Sequence, residues 1–119
     1  MSQKRKGLLH FVNAFKYSWN GLRAVARGEA AFRQELFFCV IGVIIIALAN
    51  ITMTERFVLG VSLVCMLIAE LINTAIENIV DRIGAEHHEL SGRAKDIGSA
   101  IVMLTIITVI CVWVFVLCF

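Results

Sequence analysis

Proline is absent from this sequence of 119 residues, and only 17% of the residues are charged, whereas 60% are apolar. Soluble domains carry about a quarter charged residues and about half apolar ones, so this composition excludes an ordinary soluble domain. It is also too apolar for a disordered chain, and the length is too short for a two-domain enzyme with a large core. Because about 20 apolar residues cross the hydrocarbon core of a bilayer, the chain has enough for three crossings. The sequence therefore predicts a small polytopic membrane protein.

The apolar residues fall in three blocks, which are preceded by an amphipathic stretch and interrupted once by a polar segment. Only helices satisfy their own backbone groups inside a bilayer, and the missing proline removes a common cause of kinks. We therefore predict an all-α fold that is a single membrane domain over residues 1–119. Its predicted parts are an amphipathic interfacial helix at 8–27, crossings at about 32–51, 57–80 and 97–119, and a cytoplasmic loop at 82–96.

Basic residues are distributed unevenly around the three blocks. Ten of the eleven Lys and Arg residues lie before the first block or between the second and third, and Arg56 alone lies between the first and second. The positive-inside rule assigns the basic segments to the cytoplasm. We therefore expect a cytoplasmic N-terminus and a C-terminus on the periplasmic side.

The stretch at 8–27 has apolar side chains at helical spacing and a basic flank. This pattern is typical of a helix that lies in the membrane interface. Periodicity alone leaves open whether the helix only anchors the chain or also contributes to a site. Glu29 and Glu35 lie close to the start of the first crossing, where anchoring needs no acids. They therefore favour a helix that also contributes to a site.

Polar residues in the second crossing share one side of a helix. At 100° per residue, Asn73, Thr74, Glu77 and Asp81 lie within about 60° of Glu70, and we call these five residues the carboxylate face. An ionisable side chain at this depth costs at least ~2.5–3.5 kcal/mol and by default marks a functional site. Hydrogen bonding between helices explains one buried amide or hydroxyl, but it explains three acids in register poorly. Glu70, the deepest acid, suits a proton acceptor or carrier.

Neighbouring carboxylates repel each other unless a cation lies between them. Oxygen ligands of this kind select Mg²⁺ over zinc, and Mg²⁺ commonly binds together with phosphates. The carboxylate face therefore points towards a nucleotide.

The usual phosphate and metal motifs are missing from the sequence. There is no GxxxxGK[ST] loop and no protein-kinase signature, and the adjacent His87 and His88 lack the helical spacing of zinc ligands. Arg93 and Lys95 either neutralise phosphate or only set topology, and the residues alone leave both readings open. The four cysteines lie in the apolar blocks and lack CxxC spacing. This placement indicates that they act as small apolar side chains and not as metal ligands or disulfide partners.

Four runs of the sequence resemble the small integral-membrane diacylglycerol kinases of bacteria. They are YSW at 17–19, EAAFRQE at 29–35, ELINTAIENIVDRIG at 70–84 and HELSGRAKD at 88–96. The resemblance extends from about residue 7 to Trp113. It implies a homotrimer of three-span subunits in the bacterial inner membrane, each with an amphipathic surface helix. It also implies Mg²⁺-dependent transfer of the ATP γ-phosphoryl group to the primary hydroxyl of diacylglycerol, which gives phosphatidic acid.

The resemblance also implies roles for individual residues. Glu70 is the proton acceptor with Asn73 beside it, and Glu29 and Glu77 are the metal ligands. The implied ATP-binding residues are His10, Tyr17, Glu29, Glu77, Glu86, His87, His88, Lys95 and Asp96. The implied lipid-binding residues are Ala14, Phe15, Lys16, Tyr17, Ser18, Trp19, Arg23, Ala24, Val25, Ala26, Ala31, Phe32, Arg33, Gln34, Glu35, Leu48, Ala49, Asn50, Ile51, Arg56, Glu70, Ser99 and Trp113.

Three places depart from the family pattern, and other functions remain as alternatives. His10 stands where Arg is expected, His87 where Tyr is expected, and residues 48–50 replace an acidic turn that contains Trp. Undecaprenol kinase is the nearest alternative, although the 29–35 and 88–96 runs favour diacylglycerol. A small multidrug-type proton antiporter also uses one membrane Glu, but the sequence predicts three spans rather than four. A holin-like or purely structural membrane protein leaves the carboxylate face unexplained.

Overall fold

A computed structural model describes residues 3–119, and these residues form four helices. The helices are α1 Gln3–Gly28, α2 Ala30–Leu48, α3 Met53–Ile83 and α4 Glu89–Cys118. Three of them, α2, α3 and α4, are long and apolar enough to cross a membrane. The predicted all-α fold with three membrane spans is therefore confirmed.

Contacts along the chain divide it into two compact units. The first ends at Ala30 and contains α1, whereas the second is Ala31–Phe119 and contains the three apolar helices. That these units form one membrane domain over 1–119 stays a prediction. Within the first unit, α1 is one continuous helix of 26 residues. Phe11, Phe15 and Trp19 on it are largely exposed, and its position in the membrane interface stays a prediction.

The polar segment at 82–96 is not a loop of that length, which corrects the sequence interpretation. Helix α3 continues to Ile83 and α4 begins at Glu89, so only residues 84–88 lie outside helices. Helix α3 ends where the Gly84 N–H donates to the Val80 carbonyl oxygen, 3.3 Å away. His88 is the N-cap of α4, and its Nδ1 accepts from the Leu90 N–H at 3.1 Å. Charged residues thus extend both helices beyond their apolar parts. We call residues 84–88 the polar connection.

Two glycines mark places where helices of the second unit approach closely. A Cβ on Gly98 of α4 would lie 2.5 Å from Asn73 Oδ1 on α3. A Cβ on Gly42 of α2 would lie 2.8 Å from a methyl carbon of Leu63 on α3 and 3.3 Å from the Trp113 ring on α4. Small residues let membrane helices pack at short distance, so Gly98 allows α4 to approach α3, and Gly42 leaves room for the side chains of Leu63 and Trp113.

A hydrogen-bonded chain also joins α3 and α4. The Trp113 indole N–H donates to Ser62 Oγ at 2.9 Å, and the Ser62 hydroxyl donates to the Leu59 carbonyl oxygen at 2.6 Å. Leu59 is fully buried and Ser62 nearly so. Because a polar group away from water needs a partner, this chain fixes the Trp113 ring against α3.

The turn between α2 and α3 is closed by side chains that bind backbone groups. The Arg56 guanidinium donates to the carbonyl oxygens of Ile46 and, at 2.9 Å, of Ala49. Thr52 and Glu55 form a capping box, with both hydrogen bonds at 3.1 Å. The last carbonyls of one helix and the first N–H groups of the next lack hydrogen-bond partners within their own helix. The side chains of Arg56, Thr52 and Glu55 provide partners for some of these groups. We call residues 49–56 the capped turn.

Most of the surface of the second unit is apolar. In the most hydrophobic part of α4 no residue is buried, although the segment is the most hydrophobic of the three spans. Such a surface suits lipid or another membrane helix.

Candidate functional site

The carboxylate face combines buried and exposed polar groups along one side of α3. Glu70 is only 6% exposed and Thr74 only 2% exposed, whereas Asp81 is exposed. Asn73 and Glu77 are half-buried between them. Glu70 and Asp81 are roughly 16 Å apart along the axis, from about 1.5 Å per residue. The face therefore leads from a buried acid to an exposed one.

Asn73 links the two helices at the middle of this face. Its amide Nδ2–H donates to Glu77 Oε1 at 3.2 Å, and its Oδ1 points at Gly98 of α4. Among residues 3–119, the buried Asn73 Oδ1 and Thr74 Oγ1 have no hydrogen-bond partner. Buried polar atoms without a partner are rare in folded proteins. The middle of the carboxylate face thus has acceptor capacity that the described chain does not use.

A second buried acid, Glu35 of α2, lies near Glu70. Glu35 is 9% exposed, and its charge and that of Glu70 interact. Its Oε2 is buried and has no partner within the described part of the chain. Glu35 and Gln34 line one end of a groove of about 640 Å³ that is otherwise apolar and extends to Ile45 and Trp113. The groove therefore offers a polar end beside Glu70 and an apolar length beyond it.

The end of α3, the polar connection and the start of α4 enclose a polar cleft of about 390 Å³. Its lining residues are Val80, Asp81, Gly84, Ala85, Glu86, His87, His88, Ser91, Gly92 and Lys95. Across it, Lys95 Nζ lies 2.7 Å from Asp81 Oδ1. A weaker pair within α4 joins Arg93 and Glu89 at 3.4 Å. We call this space the α3–α4 cleft.

The cleft unites four of the residues predicted to bind ATP, namely Glu86, His87, His88 and Lys95. Asp96 follows Lys95 on α4 and is exposed. His10 and Tyr17 lie on α1 in the first unit, and Glu29 lies between α1 and α2 in the same unit.

The residues predicted to bind lipid are not gathered at one level of the second unit. Residues 31–35 lie at the start of α2, whereas residues 48–51 begin with its last residue, about 20 Å away at about 1.5 Å per residue. Arg56 lies in the capped turn and donates to backbone carbonyls. Ser99 is exposed near the start of α4, and Trp113 lines the apolar groove. Residues 14–19 and 23–26 belong to α1.

The described residues contain no group of three His, Cys, Asp or Glu side chains arranged to hold a metal ion. Mg²⁺ that binds with phosphates needs only one or two carboxylates and keeps several waters. Glu77, with the Asn73 amide beside it, presents hard oxygen atoms of that kind. The residues present thus fit an ion that arrives with a nucleotide.

Sequence reasoning missed three contributors to this site. The contact between Asp81 and Lys95 joins residues 14 apart, and the closeness of Gly98 to Asn73 joins residues 25 apart. Neither is visible from helical periodicity, because each depends on how α3 packs on α4. Ser62 also gave no signal as the acceptor for Trp113. For Asp81, the sequence indicated that it lies on the carboxylate face but not that it contacts Lys95.

The structure thus defines a multi-pass α-helical membrane protein with a polar site at one end of its longest helix. The chain matches the prokaryotic diacylglycerol kinase family over residues 16–117. It is 44% identical to diacylglycerol kinase of Escherichia coli strain K12 over 113 residues, which cover 95% of this chain and 93% of the relative. It is 43% identical to diacylglycerol kinase of Haemophilus influenzae, over 92% of this chain and 93% of that relative. Diacylglycerol kinase of Helicobacter pylori is 31% identical, over 92% and 86%. The chain belongs to the prokaryotic diacylglycerol kinase family.

Proposed function

We propose that this protein transfers the γ-phosphoryl group of ATP to the primary hydroxyl of diacylglycerol and forms phosphatidic acid. Family membership supports the reaction class. The observation that carries the proposal is the carboxylate face, which joins a buried Glu70 to the charged α3–α4 cleft along one helix. A lipid hydroxyl can approach Glu70 from the bilayer, while a nucleotide can approach Lys95 from water.

Each proposed step uses residues of this site. Glu70 accepts the hydroxyl proton as the alcohol oxygen bonds to the γ-phosphorus, and the bond from that phosphorus to the β,γ-bridging oxygen breaks to release ADP. Phosphoryl transfer needs in-line positioning and charge stabilisation more than covalent chemistry. Lys95 neutralises phosphate oxygens, and Asn73 orients the Glu77 carboxylate through its 3.2 Å hydrogen bond.

Magnesium is the proposed cofactor, with Glu77 and Glu29 as its protein ligands. When bound with ATP it supplies positive charge to the β- and γ-phosphate oxygens. His10, Tyr17, Glu86, His87, His88 and Asp96 complete the proposed nucleotide contacts. His87 and His88 lie in the polar connection, which lines the α3–α4 cleft.

The apolar groove suits the lipid. Its polar end has Glu35 Oε2, which has no hydrogen-bond partner among residues 3–119 and can accept a hydrogen bond from a glycerol hydroxyl. Its remaining walls are apolar side chains of α2, α3 and α4, which match an acyl chain. The lipid-binding residues at 14–19, 23–26, 48–51 and 99 are proposed from the resemblance.

We also propose that three copies assemble in the bacterial inner membrane, with the N-terminus and the polar connection in the cytoplasm. The uneven distribution of Lys and Arg supports this orientation. The exposed apolar surface of α4 supports association with another membrane helix.

The test is a direct assay of the purified protein in detergent micelles. The protein is supplied with radiolabelled ATP, Mg²⁺ and either dioleoylglycerol or undecaprenol, and the lipid is extracted. We expect label in dioleoylglycerol. Label in undecaprenol alone would move the assignment to undecaprenol kinase, and absence of label from both lipids would refute the kinase proposal. Omission of Mg²⁺ should remove the activity, and crosslinking of the micellar protein should reveal trimers.

A further inference from the structure

Asp81 and Lys95 form a contact that connects the carboxylate face to the α3–α4 cleft. Asp81 lies one helical turn beyond Glu77 on α3, and its Oδ1 is 2.7 Å from Lys95 Nζ on α4. The two side chains are 65% and 45% exposed. Both residues line the cleft. The lysine ammonium is therefore held at the cleft wall by an acid from the opposite helix.

This contact contributes little to the association of the two helices. An ion pair between side chains this exposed adds little to stability, because water and salt screen it. The close approach at Gly98 and the hydrogen bond from Trp113 to Ser62 already join α3 to α4. The main physical consequence of Asp81 is where it places the Lys95 ammonium.

A lysine ammonium needs such placement more than an arginine does. It is a point charge on a flexible four-carbon chain, so its position before a phosphate arrives depends on its neighbours. The ammonium has three N–H donors. One hydrogen bond to Asp81 leaves two donors for phosphate oxygens, so the contact and phosphate binding are compatible.

We propose that Asp81 is a positioning residue that holds the Lys95 ammonium in the α3–α4 cleft, where it binds the phosphates of the nucleotide. The inference rests on the proposed ATP site, since it assigns Lys95 a phosphate. Other charges act in the same place. Glu77 on α3 also attracts Lys95, whereas Glu89 on α4 pairs with Arg93. Asp81 is the acid whose oxygen contacts the ammonium.

The test compares Asp81→Asn with wild-type protein in micelles. Replacing the acid by an amide leaves the Lys95 ammonium with a neutral acceptor in place of a charged one, which weakens the hold on the ammonium. We therefore expect the KM for Mg²⁺·ATP to rise about 5- to 10-fold. Because the reacting groups are untouched, kcat should change much less. Binding of a fluorescent ATP analogue should weaken by a similar factor. Asp81→Glu, which keeps the charge, should restore most of the affinity.

Two further variants separate positioning from a general effect of charge. In a Lys95→Met background, Asp81→Asn should cause no additional loss of binding of the analogue, because no ammonium remains to be placed. Glu89→Gln removes the matched exposed ion pair within α4 and should leave the KM for Mg²⁺·ATP unchanged. All variants should unfold at closely similar temperatures, because the contact adds little to stability.

Several outcomes would overturn the inference. Equal or tighter nucleotide binding by Asp81→Asn would show that Asp81 does not position the ammonium or competes with phosphate for it. An equal loss in the Lys95→Met background would show that Asp81 acts without Lys95. If wild-type protein binds the analogue and phosphorylates lipid in these cases, the proposed function stands and only the inference falls. If wild-type protein neither binds the analogue nor phosphorylates lipid, both fall.

Discussion

The two ends of α3 satisfy their polar side chains in different ways. At the capped turn, side chains bind backbone. Arg56 donates to the carbonyls of Ile46 and Ala49, and Thr52 and Glu55 cap the first turn of α3. The hydrogen bonds formed there begin and end within the chain, which is the expected arrangement for a structural turn.

At the other end, side chains bind other side chains and leave acceptors unused. Asn73 binds Glu77, and Asp81 binds Lys95. Within residues 3–119, the buried Asn73 Oδ1 and Glu35 Oε2 find no partner. An unused buried acceptor costs free energy, and the proposed substrates would supply the missing partners. The difference between the ends therefore distinguishes structural polar groups from those available for substrates.

The largest expected effect comes from Glu70→Gln, which tests the deepest acid. The amide keeps the shape of the side chain but cannot accept the hydroxyl proton, so lipid phosphorylation should fall by about 10²–10⁴-fold. Binding of a fluorescent ATP analogue should stay close to that of wild-type protein, since Glu70 does not line the α3–α4 cleft. Near-normal turnover of this variant would remove Glu70 from the mechanism.

Glu77→Gln tests the middle of the carboxylate face and should have the next largest effect. Loss of the carboxylate removes a proposed Mg²⁺ ligand and the acceptor charge for the Asn73 amide. We expect the Mg²⁺ concentration for half-maximal activity to rise at least ~10-fold, together with weaker binding of the ATP analogue. Titration of activity with Mg²⁺ at saturating lipid measures this. Unchanged Mg²⁺ dependence would exclude Glu77 as a ligand.

Gly98→Ala asks whether the packing of α4 positions the carboxylate face. The new Cβ would lie 2.5 Å from Asn73 Oδ1, so the Asn73 side chain must move, and we expect this to disturb its hydrogen bond to Glu77. Overpacking of this kind costs about 1–3 kcal/mol of stability, and the Mg²⁺ requirement should rise by a smaller factor than in Glu77→Gln. The measurements are a thermal unfolding midpoint in detergent and a Mg²⁺ titration.

Gly60→Ala is the matched control for Gly98→Ala. Gly60 also lies inside a membrane helix, but a Cβ there would meet nothing within 4 Å. Its Mg²⁺ dependence should equal that of wild-type protein. If Gly60→Ala and Gly98→Ala gave the same Mg²⁺ dependence, the role of Gly98 in positioning Asn73 would be wrong.

The sequence was sufficient to predict the number of spans, which follows from three long apolar blocks. It was also sufficient to predict the carboxylate face, which follows from periodicity within a single helix. It did not predict how far the helices extend. The segments 81–83 and 89–96, each of which contains charged residues, continue α3 and α4. Hydropathy reports only which part of a helix is apolar. Residues 49–51 were assigned to the first crossing, yet α2 ends at Leu48.

Contacts between helices were the other part that the sequence could not supply. In the sequence, Arg56 is equally consistent with a basic residue that sets membrane topology and with one that caps helix carbonyls. Only the path of the turn shows that it binds the carbonyls. The approach of Gly98 to Asn73 depends likewise on the relative rotation of α3 and α4. Such relations join residues far apart in sequence, where no period within one helix can report them.

Thr52→Ala has the smallest expected effect and tests the structural end of the comparison. It removes the side-chain acceptor for the Glu55 N–H and half of the capping box. Loss of an N-cap costs about 1 kcal/mol, which should appear as a lower unfolding midpoint in detergent. Because the hydrogen bonds of Thr52 lie within the capped turn, kcat and the KM for Mg²⁺·ATP of the folded fraction should match wild-type protein. A changed KM with an unchanged unfolding midpoint would contradict the division between the two ends, since it would place substrate binding under the control of the capped turn.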